Sequence, residues 1–456
     1  MKKCYGVCAV GEIACSFTED DLESVAMKWF SKKRKRALVI GIDGVPHPLL
    51  DTFIKNGTMP NLNQILTQGF TLHSMNASLP EISSVSWTSF MTGVNPGQHG
   101  IFGFTHLRPG SYQLHFTNSK DIMSPTFWQI LSKQRKVSKT LVINVPSTYP
   151  ALPIEGLLVS GFVAIDFEKA VYPSSYVPLL RSMHYIIDVD AEKARKDKKG
   201  FYVDILQSLS VRRKVFLELF DREPWDLCVF CITETDRLHH FFFDEKDTLT
   251  FEKPYQVIDE TILDLYGAAQ NKWGENFLFL ILSDHGFSVL KREVNLNAYL
   301  QKMGLLKLDS SKEYYEKVGR GTLAFAMDPG RIYIHDKKFP KGHVTADQAS
   351  KTREQVKAVL SDLKTEDGTP VIHSIFEKEK IYQGPYLEQA PDLVCVPNVG
   401  YDLKGNMRKE EVFTSDIFTG MHTWNNAVLV LPSQIKLEGL INVEFPAKVI
   451  LDYFSS

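Results

Sequence analysis

Five short stretches of the chain are apolar almost without interruption: Ala37 to Asp43 (ALVIGID), Thr140 to Asn144 (TLVIN), Trp225 to Thr233 (WDLCVFCIT), Phe277 to Asp284 (FLFLILSD) and Ala427 to Leu431 (AVLVL). Runs this short that do not alternate with polar residues predict strands covered on both faces, as in a largely parallel sheet. Between them the apolar spacing changes to three and four, predicting a helix over Val203 to Phe220. A second helix is expected to open with Pro254 of PYQVIDETILDLYG in its first turn, where a missing N–H costs nothing. Strand and helix patterns in alternation specify an α/β fold, a doubly wound, mostly parallel sheet flanked by helices. From Leu305 to Glu410 the texture becomes more polar, with an alternating GRIYIH (Gly330 to His335) and a helix-like TREQVKAVLSDLK. The expected organisation is therefore an extension over 1–36, the first part of an α/β core over 37–304, a smaller α+β insertion over 305–410, and the end of the core over 411–456.

Composition narrows the function. With 456 residues, 44% hydrophobic and 23% charged, the chain can bury a large core. A formal net charge of −2 offers no electrostatic basis for binding a nucleic-acid polymer. The one basic run, Lys32 to Arg36, reads as a solvated edge. Cys4, Cys8 and Cys15 lack the spacing of a zinc or iron–sulfur site, while Cys228, Cys231 and Cys395 fall in apolar segments where cysteine simply packs. With no disulfide framework a reducing, cytoplasmic location is expected. The opening MKKCYGVCAVGEIAC is too short in its apolar part, and broken by Glu12, to read as a secretion signal. No segment is long and apolar enough for a transmembrane helix, and nothing in the pattern specifies an oligomeric state.

Chemistry enters with the polar residues that end the apolar runs. Asp43 closes the first, Asp236 follows the third in TETDRLHH, and Asp284 with His285 closes the fourth. Each alone has an ordinary reading: Asp-Gly at 43–44 is a turn signal, Asp284 is placed to cap a helix, and a single His usually satisfies a structural hydrogen bond. Together they bring three carboxylates to the carboxyl-terminal rim of the sheet, where open α/β folds bind ligands. Asp236 and His240 are four apart and share a helix face, and GMHTW supplies His422 in what reads as a loop before the last strand. Mixed carboxylate and imidazole ligands favour zinc, manganese or iron over calcium or magnesium. The set is large enough for two ions, the arrangement that clamps attacking and leaving oxygens in phosphoryl transfer.

Leu79 to Gly93, LPEISSVSWTSFMTG, is rich in hydroxyls, and its ordinary reading is helix capping. Taken with IGIDG, SFMTGVNPGQHGIFGF, TDRLHHFFF, SDHGF, GPYLEQAPDLV and GMHTW in that order, it resembles the alkaline phosphatase superfamily. The similarity runs from about Ala37 to the C-terminus and is to the type I phosphodiesterase and nucleotide pyrophosphatase branch, in its prokaryotic group of phosphohydrolases and phosphomutases. The resemblance implies one metal site of Asp43, Asp284 and His285, a second of Asp236, His240 and His422, and a nucleophile between them, also a metal ligand. That nucleophile lies ten residues before the Gly of the TG pair, at Ser83. Ser86 falls where the pyrophosphatase branch carries an Asn that binds a phosphoryl oxygen, and is a shorter donor. Ser83 is expected to start a helix whose free N–H groups face the phosphoryl oxygens, with Ser84 and Ser86 as capping groups and His99 and His239 as structural residues. Arg237 is a candidate for the extra charge of a monoester. Phe241 to Phe243 are read either as a slot for a base or aryl group or as core. No Cys-x-Pro-x-Arg pattern of the sulfatase branch is present.

The resulting expectation is a hydrolase using two divalent transition-metal ions, zinc or alternatively manganese. It cleaves a small-molecule phosphate ester, chiefly diesters, through a phosphoseryl intermediate. A phosphomonoesterase, a phosphomutase and a non-catalytic binding protein on an inherited fold are the alternatives.

Overall fold

A computed structural model describes residues 34–437 and 439–456 of the chain. The expected extension, with Cys4, Cys8, Cys15 and the start of the basic run, lies outside the described residues apart from its last three positions. Arg36 is not a solvated edge: its Nε meets Asp226 Oδ1 at 3.1 Å.

The apolar runs form one eight-stranded sheet of β1 (Ala37–Ile42), β2 (Phe70–Met75), β3 (Thr140–Val145), β4 (Gly156–Ser160), β5 (Val171–Tyr172), β6 (Leu227–Ile232), β7 (Leu278–Leu282) and β8 (Ala427–Pro432), in the order β2-β8-β7-β1-β6-β3-β4-β5. The strands from β7 to β4 are parallel, with Ile42 opposite Ile232 and Gly41 opposite Leu282. Only β8, β2 and β5 run against their neighbours. β1 shows why its sequence does not alternate: Leu38, Ile40 and Ile42 enter one apolar layer while Ala37 and Val39 enter the other. Both faces are core, so both parities are hydrophobic.

Helix α1 (Ser83–Thr92) packs in the second layer beside the C-terminal helix Phe445–Ser455, and α2 (Lys198–Arg222) and α4 (Leu249–Trp273) in the first. The short α3 (Glu234–Phe242) follows β6 directly. Pro254 does not open its helix: α4 begins at Leu249, capped by Thr248, whose hydroxyl accepts the Phe251 amide. A proline inside a helix leaves the carbonyl four residues earlier without its donor. Here that carbonyl belongs to Thr250, and the Tyr202 hydroxyl donates to it at 2.7 Å.

A third apolar core, built from Val294 to Met407 together with Tyr112, lies under a four-stranded antiparallel sheet that contains Arg331–Ile334, within the alternating GRIYIH, and is flanked by the helix Ala346–Ser361. The thiols of Cys228, Cys231 and Cys395 are free and buried. Among the described residues no helix is long and apolar enough to cross a membrane.

Candidate active site

Three parallel strands end side by side, Ile42 opposite Ile232 and Gly41 opposite Leu282, and the residue types at their ends decide what collects there. Asp43 follows β1, α3 carries Asp236 and His240 just beyond β6, and Asp284 and His285 follow β7. The fourth contribution comes from a strand rather than the expected loop. Gly420–Thr423 pairs antiparallel with Gly286–Val289, setting His422 opposite Phe287 and stacking its ring on His285 at 3.8 Å between centroids.

Two clusters result. Asp43, Asp284 and His285 are all fully buried and present ligand atoms to one another, with His285 Nε2 at 3.3 Å from Asp284 Oδ2 and 3.9 Å from Asp43 Oδ1. In the other, Asp236 Oδ1 lies 3.4 Å from His240 Nε2 and 3.3 Å from His422 Nε2, and the two ring nitrogens are 3.1 Å apart. Ligands about 2.0–2.1 Å from a tetrahedral ion stand about 3.3 Å from one another, close to every one of these separations except that of His285 from Asp43. His285 faces both clusters, because Asp236, His285 and His422 also fall within ligand range of one another.

The hydrogen bonds around the clusters fit a metal as well. Asp236 Oδ1 and Asp284 Oδ2 are buried without a hydrogen-bond partner, an expensive state for a carboxylate oxygen unless a cation takes it. The Nδ1 atoms of His285 and His422 are engaged by the carbonyls of Gly286 and Glu81, at 3.1 and 2.9 Å, leaving Nε2 as the lone-pair nitrogen turned inward. Burial and the charges of Asp284 and Asp236 hold Asp43 well above the usual carboxylate range, and burial pushes Asp284 up to about 7. Burial also works on Asp236, but there the neighbouring imidazoles of His240 and His422 win and keep it well below that range. Burial lowers His285 and His240. His422 moves the other way: its burial is outweighed by the Asp236 carboxylate, which raises it.

Ser83 stands on the edge of the first cluster. Its Oγ is 3.1 Å from His285 Nε2 and 3.5 Å from Asp43 Oδ1. It is the first residue of α1, as expected, but the cap is Ile82 and no side chain closes the helix end. The capping roles expected for Ser84 and Ser86 are therefore corrected. Ser84 Oγ is buried without a partner, and Ser86 Oγ accepts the Ser78 amide at 3.2 Å. The helix ladder begins with the Val85 and Ser86 amides donating to Ile82, which leaves the N–H groups of Ser83 and Ser84 unused at the positive end of the helix.

Other expectations resolve into structure. Arg237 directs Nε and Nη2 to Asp188, with Nη2 at 2.6 Å, and Nη1 to Asp236 Oδ2 at 3.0 Å, and lies over the Phe162 ring. It orients Asp236 rather than presenting free donors. Phe241, Phe242 and Phe243 are core residues, so the aromatic slot is not built from them. His239 bridges the Gly44 carbonyl and the Tyr255 hydroxyl, and His99 bonds Ser89 and the Ile101 amide. Asp284 caps no helix: its Oδ1 accepts the Gly44 amide at 3.0 Å.

Sequence reading missed Trp87. Its Nε1 donates to Asp43 Oδ2 at 3.0 Å, fixing the carboxylate whose other oxygen faces Ser83 and His285. The spacing held the signal, since Trp87 is four residues after Ser83 and so on the same helix face. This explains the glycine pair of IGIDG. A Cβ on Gly41 would lie 2.5 Å from the Trp87 ring, and Gly44, at φ +68°, approaches Phe287 and His285 too closely for any side chain.

A family model described as type I phosphodiesterase / nucleotide pyrophosphatase matches residues 37–425. The chain belongs to this family. It is a hydrolase acting on phosphate ester bonds. Two solved structures share its fold at low identity. Phosphonoacetate hydrolase from Sinorhizobium meliloti 1021, in complex with phosphonoformate, is 14% identical with a TM-score of 0.64, covering 92% of this chain and 96% of the other. Murine ectonucleotide pyrophosphatase / phosphodiesterase 5 is 14% identical with a TM-score of 0.55, covering 92% and 95%, and has also been solved as an inactive Thr-to-Ala variant in complex with AMP. No curated protein matches the chain by sequence.

Proposed function

We propose that the chain hydrolyses phosphodiesters through a phosphoseryl intermediate on Ser83, with two divalent transition-metal ions, zinc or manganese. Asp43, Asp284, His285 and Ser83 would hold one ion, and Asp236, His240 and His422 the other. When bound, such ions supply Lewis-acid charge that favours the serine alkoxide and neutralises the leaving oxygen. The observation that carries the reading is the position of Ser83 Oγ, in contact with His285 and Asp43 at the start of a helix whose first two amides are unpaired. Ser83 Oγ attacks phosphorus while those amides hold the non-bridging oxygens. The bond to the first alcohol breaks, and that alcohol departs with the proton that Ser83 gave up. Water then attacks the phosphoserine, releasing the monoester and restoring the hydroxyl.

Diesters are favoured over monoesters by Arg237, the one basic side chain beside a candidate ligand in the sequence, which is committed to Asp188 and Asp236. Ile82, Leu403 and Met421, which line a pocket with His240 and His422, offer apolar surface for a second ester group. Steady-state kinetics on zinc-loaded protein with a bis-aryl phosphate and the matching aryl monoester test this. The diester should show the higher kcat/KM. The opposite order moves the assignment to phosphomonoesterase or phosphomutase, and inertness toward both removes the enzymatic reading.

A further inference from the structure

A cavity of about 550 Å³ opens between the hairpin of Thr105–Leu107 with Leu114–Phe116 and the four-stranded sheet over the third core, and none of the candidate metal ligands lines it. Four aromatic side chains, Phe102, Tyr333, Phe339 and Tyr386, form part of its wall. The wall is fixed from behind. Phe102 meets Tyr382 edge-on at 5.3 Å, and the Tyr382 hydroxyl donates to the Leu79 carbonyl at 2.8 Å, while Tyr333 and Phe339 meet edge-on at 6.2 Å.

The charged residues of the lining are three acids and three bases, Asp121, Glu388 and Asp392 with Arg108, Lys120 and Lys338. Their formal charges cancel, so the sign of a ligand is decided by which groups still lack a partner. Asp121 Oδ2 accepts the Asn118 amide at 2.9 Å and lies 2.8 Å from His115 Nε2. Asp392 accepts the Ile334 amide at 2.8 Å and has Lys378 Nζ 3.6 Å from its other oxygen. Glu388 lies between Lys378, at 3.7 Å, and Lys338, at 3.9 Å. Arg108 and Lys120 are exposed, and neither side chain has a hydrogen bond or ion pair among the described residues. Burial and then the charge of His115 lower the His106 imidazole on the same wall, and Arg331 and Arg108 push it further down against Asp121. Positive potential therefore reaches the cavity from the hairpin side.

We propose that this cavity is a second binding site, separate from the metal cluster, for a small planar aromatic anion. Its volume and its apolar wall with a few charged groups are those of a small-molecule site. The four rings offer stacked and edge-on contacts to a flat ligand, and an anionic group on that ligand takes the Arg108 fork and the Lys120 ammonium. A cationic ligand would meet those same two charges, and an aliphatic anion would forgo the ring contacts. The inference does not depend on which phosphate ester the metal cluster cleaves.

Naphthalenesulfonate, naphthalenesulfonamide and octanesulfonate separate the two requirements, since the second keeps the rings without the charge and the third keeps the charge without the rings. Calorimetric titration into the zinc-loaded protein should show one site for the aromatic anion, bound about tenfold more tightly than either comparator. Arg108→Gln combined with Lys120→Gln should remove its advantage over the sulfonamide while the sulfonamide keeps its own affinity. A folding defect would weaken both probes together. Inorganic phosphate added at constant ionic strength, a ligand for the metal cluster, should not displace the aromatic anion. Equal binding of the sulfonate and the sulfonamide, equal or tighter binding of octanesulfonate, an unchanged preference in the double variant, displacement by phosphate, or binding of none of the probes overturns the inference.

Discussion

At the scale of single residues, Asp43, Asp284 and His285 were legible because they end continuous apolar runs, where a carboxylate has few structural reasons to exist, and Asp236 and His240 because their spacing of four puts both on one helix face just after another such run. Ser83 was legible through its spacing to Gly93 within a family pattern. The groups that hold these side chains in place were not, because the contacts join distant parts of the chain. Trp87 reaches back 44 positions to Asp43, and Glu81 holds His422 from 341 positions away. Ser83→Ala should abolish nearly all turnover while retaining both metals, since six other ligands remain. Acid-quenched wild type should carry phosphate on the peptide containing Ser83, and mass spectrometry finding it on Ser84 would displace the assignment by one residue. Trp87→Phe keeps an aromatic ring but removes the donor to Asp43. Loss of an outer hydrogen bond to a ligand typically weakens metal affinity about 10–100-fold. Competition with a chelator should show this loss at one of the two sites, while the other keeps its affinity.

Among the elements, strands covered on both faces were the easiest to read. β1, β3, β6, β7 and β8 all have bounds within two residues of their apolar runs. β2 was missed because FTLHSM mixes polar and apolar residues on a strand that pairs only with β8 and is mostly half-exposed. The start of α4 was misplaced because proline is a strong signal for a first turn, and nothing local reveals that Tyr202 compensates for one inside the helix. His422 was misread as a loop residue for a similar reason, its strand having a partner more than a hundred positions away. Element packing also yields a test. Gly41 leaves β1 flat where α1 lays its indole against it, so Gly41→Ala must displace Trp87 or the strand. Overpacking of this kind costs about 1–3 kcal/mol. Chemical denaturation should show that loss, and because Trp87 moves with it, the variant should also reproduce the weakened metal binding of Trp87→Phe. Normal metal affinity in a destabilised Gly41→Ala protein would separate the indole from any role at Asp43.

For the whole molecule, the six candidate ligands come from positions between 43 and 422, so an ion binding all three members of either proposed set would tie remote parts of the fold together. Protein purified without chelator should contain about two zinc or manganese ions per chain by elemental analysis. Ligation should raise stability through mass action, by about 4 kcal/mol per ion at a thousandfold excess over Kd. The metal-free fold bears the opposing cost. Burial raises the Asp284 carboxyl to about 7, so the folded state holds its proton more tightly than the unfolded chain does. For a raised carboxyl the sign is fixed: its contribution is neutral below about pH 4 and becomes increasingly destabilising as pH rises to about 7, reaching about 4 kcal/mol for a shift of about three units. Asp284→Asn removes the titration but keeps an oxygen for the Gly44 amide. Without metal, the variant should therefore gain stability over wild type progressively between about pH 4 and pH 7 and keep the gain above that, as read by thermal melts. Zinc should reverse the order at pH 8, because only wild type offers the ion a carboxylate. A metal-free wild type more stable than Asp284→Asn at pH 8 would mean that Asp284 is not held against its charge, and that the cluster is balanced without cations.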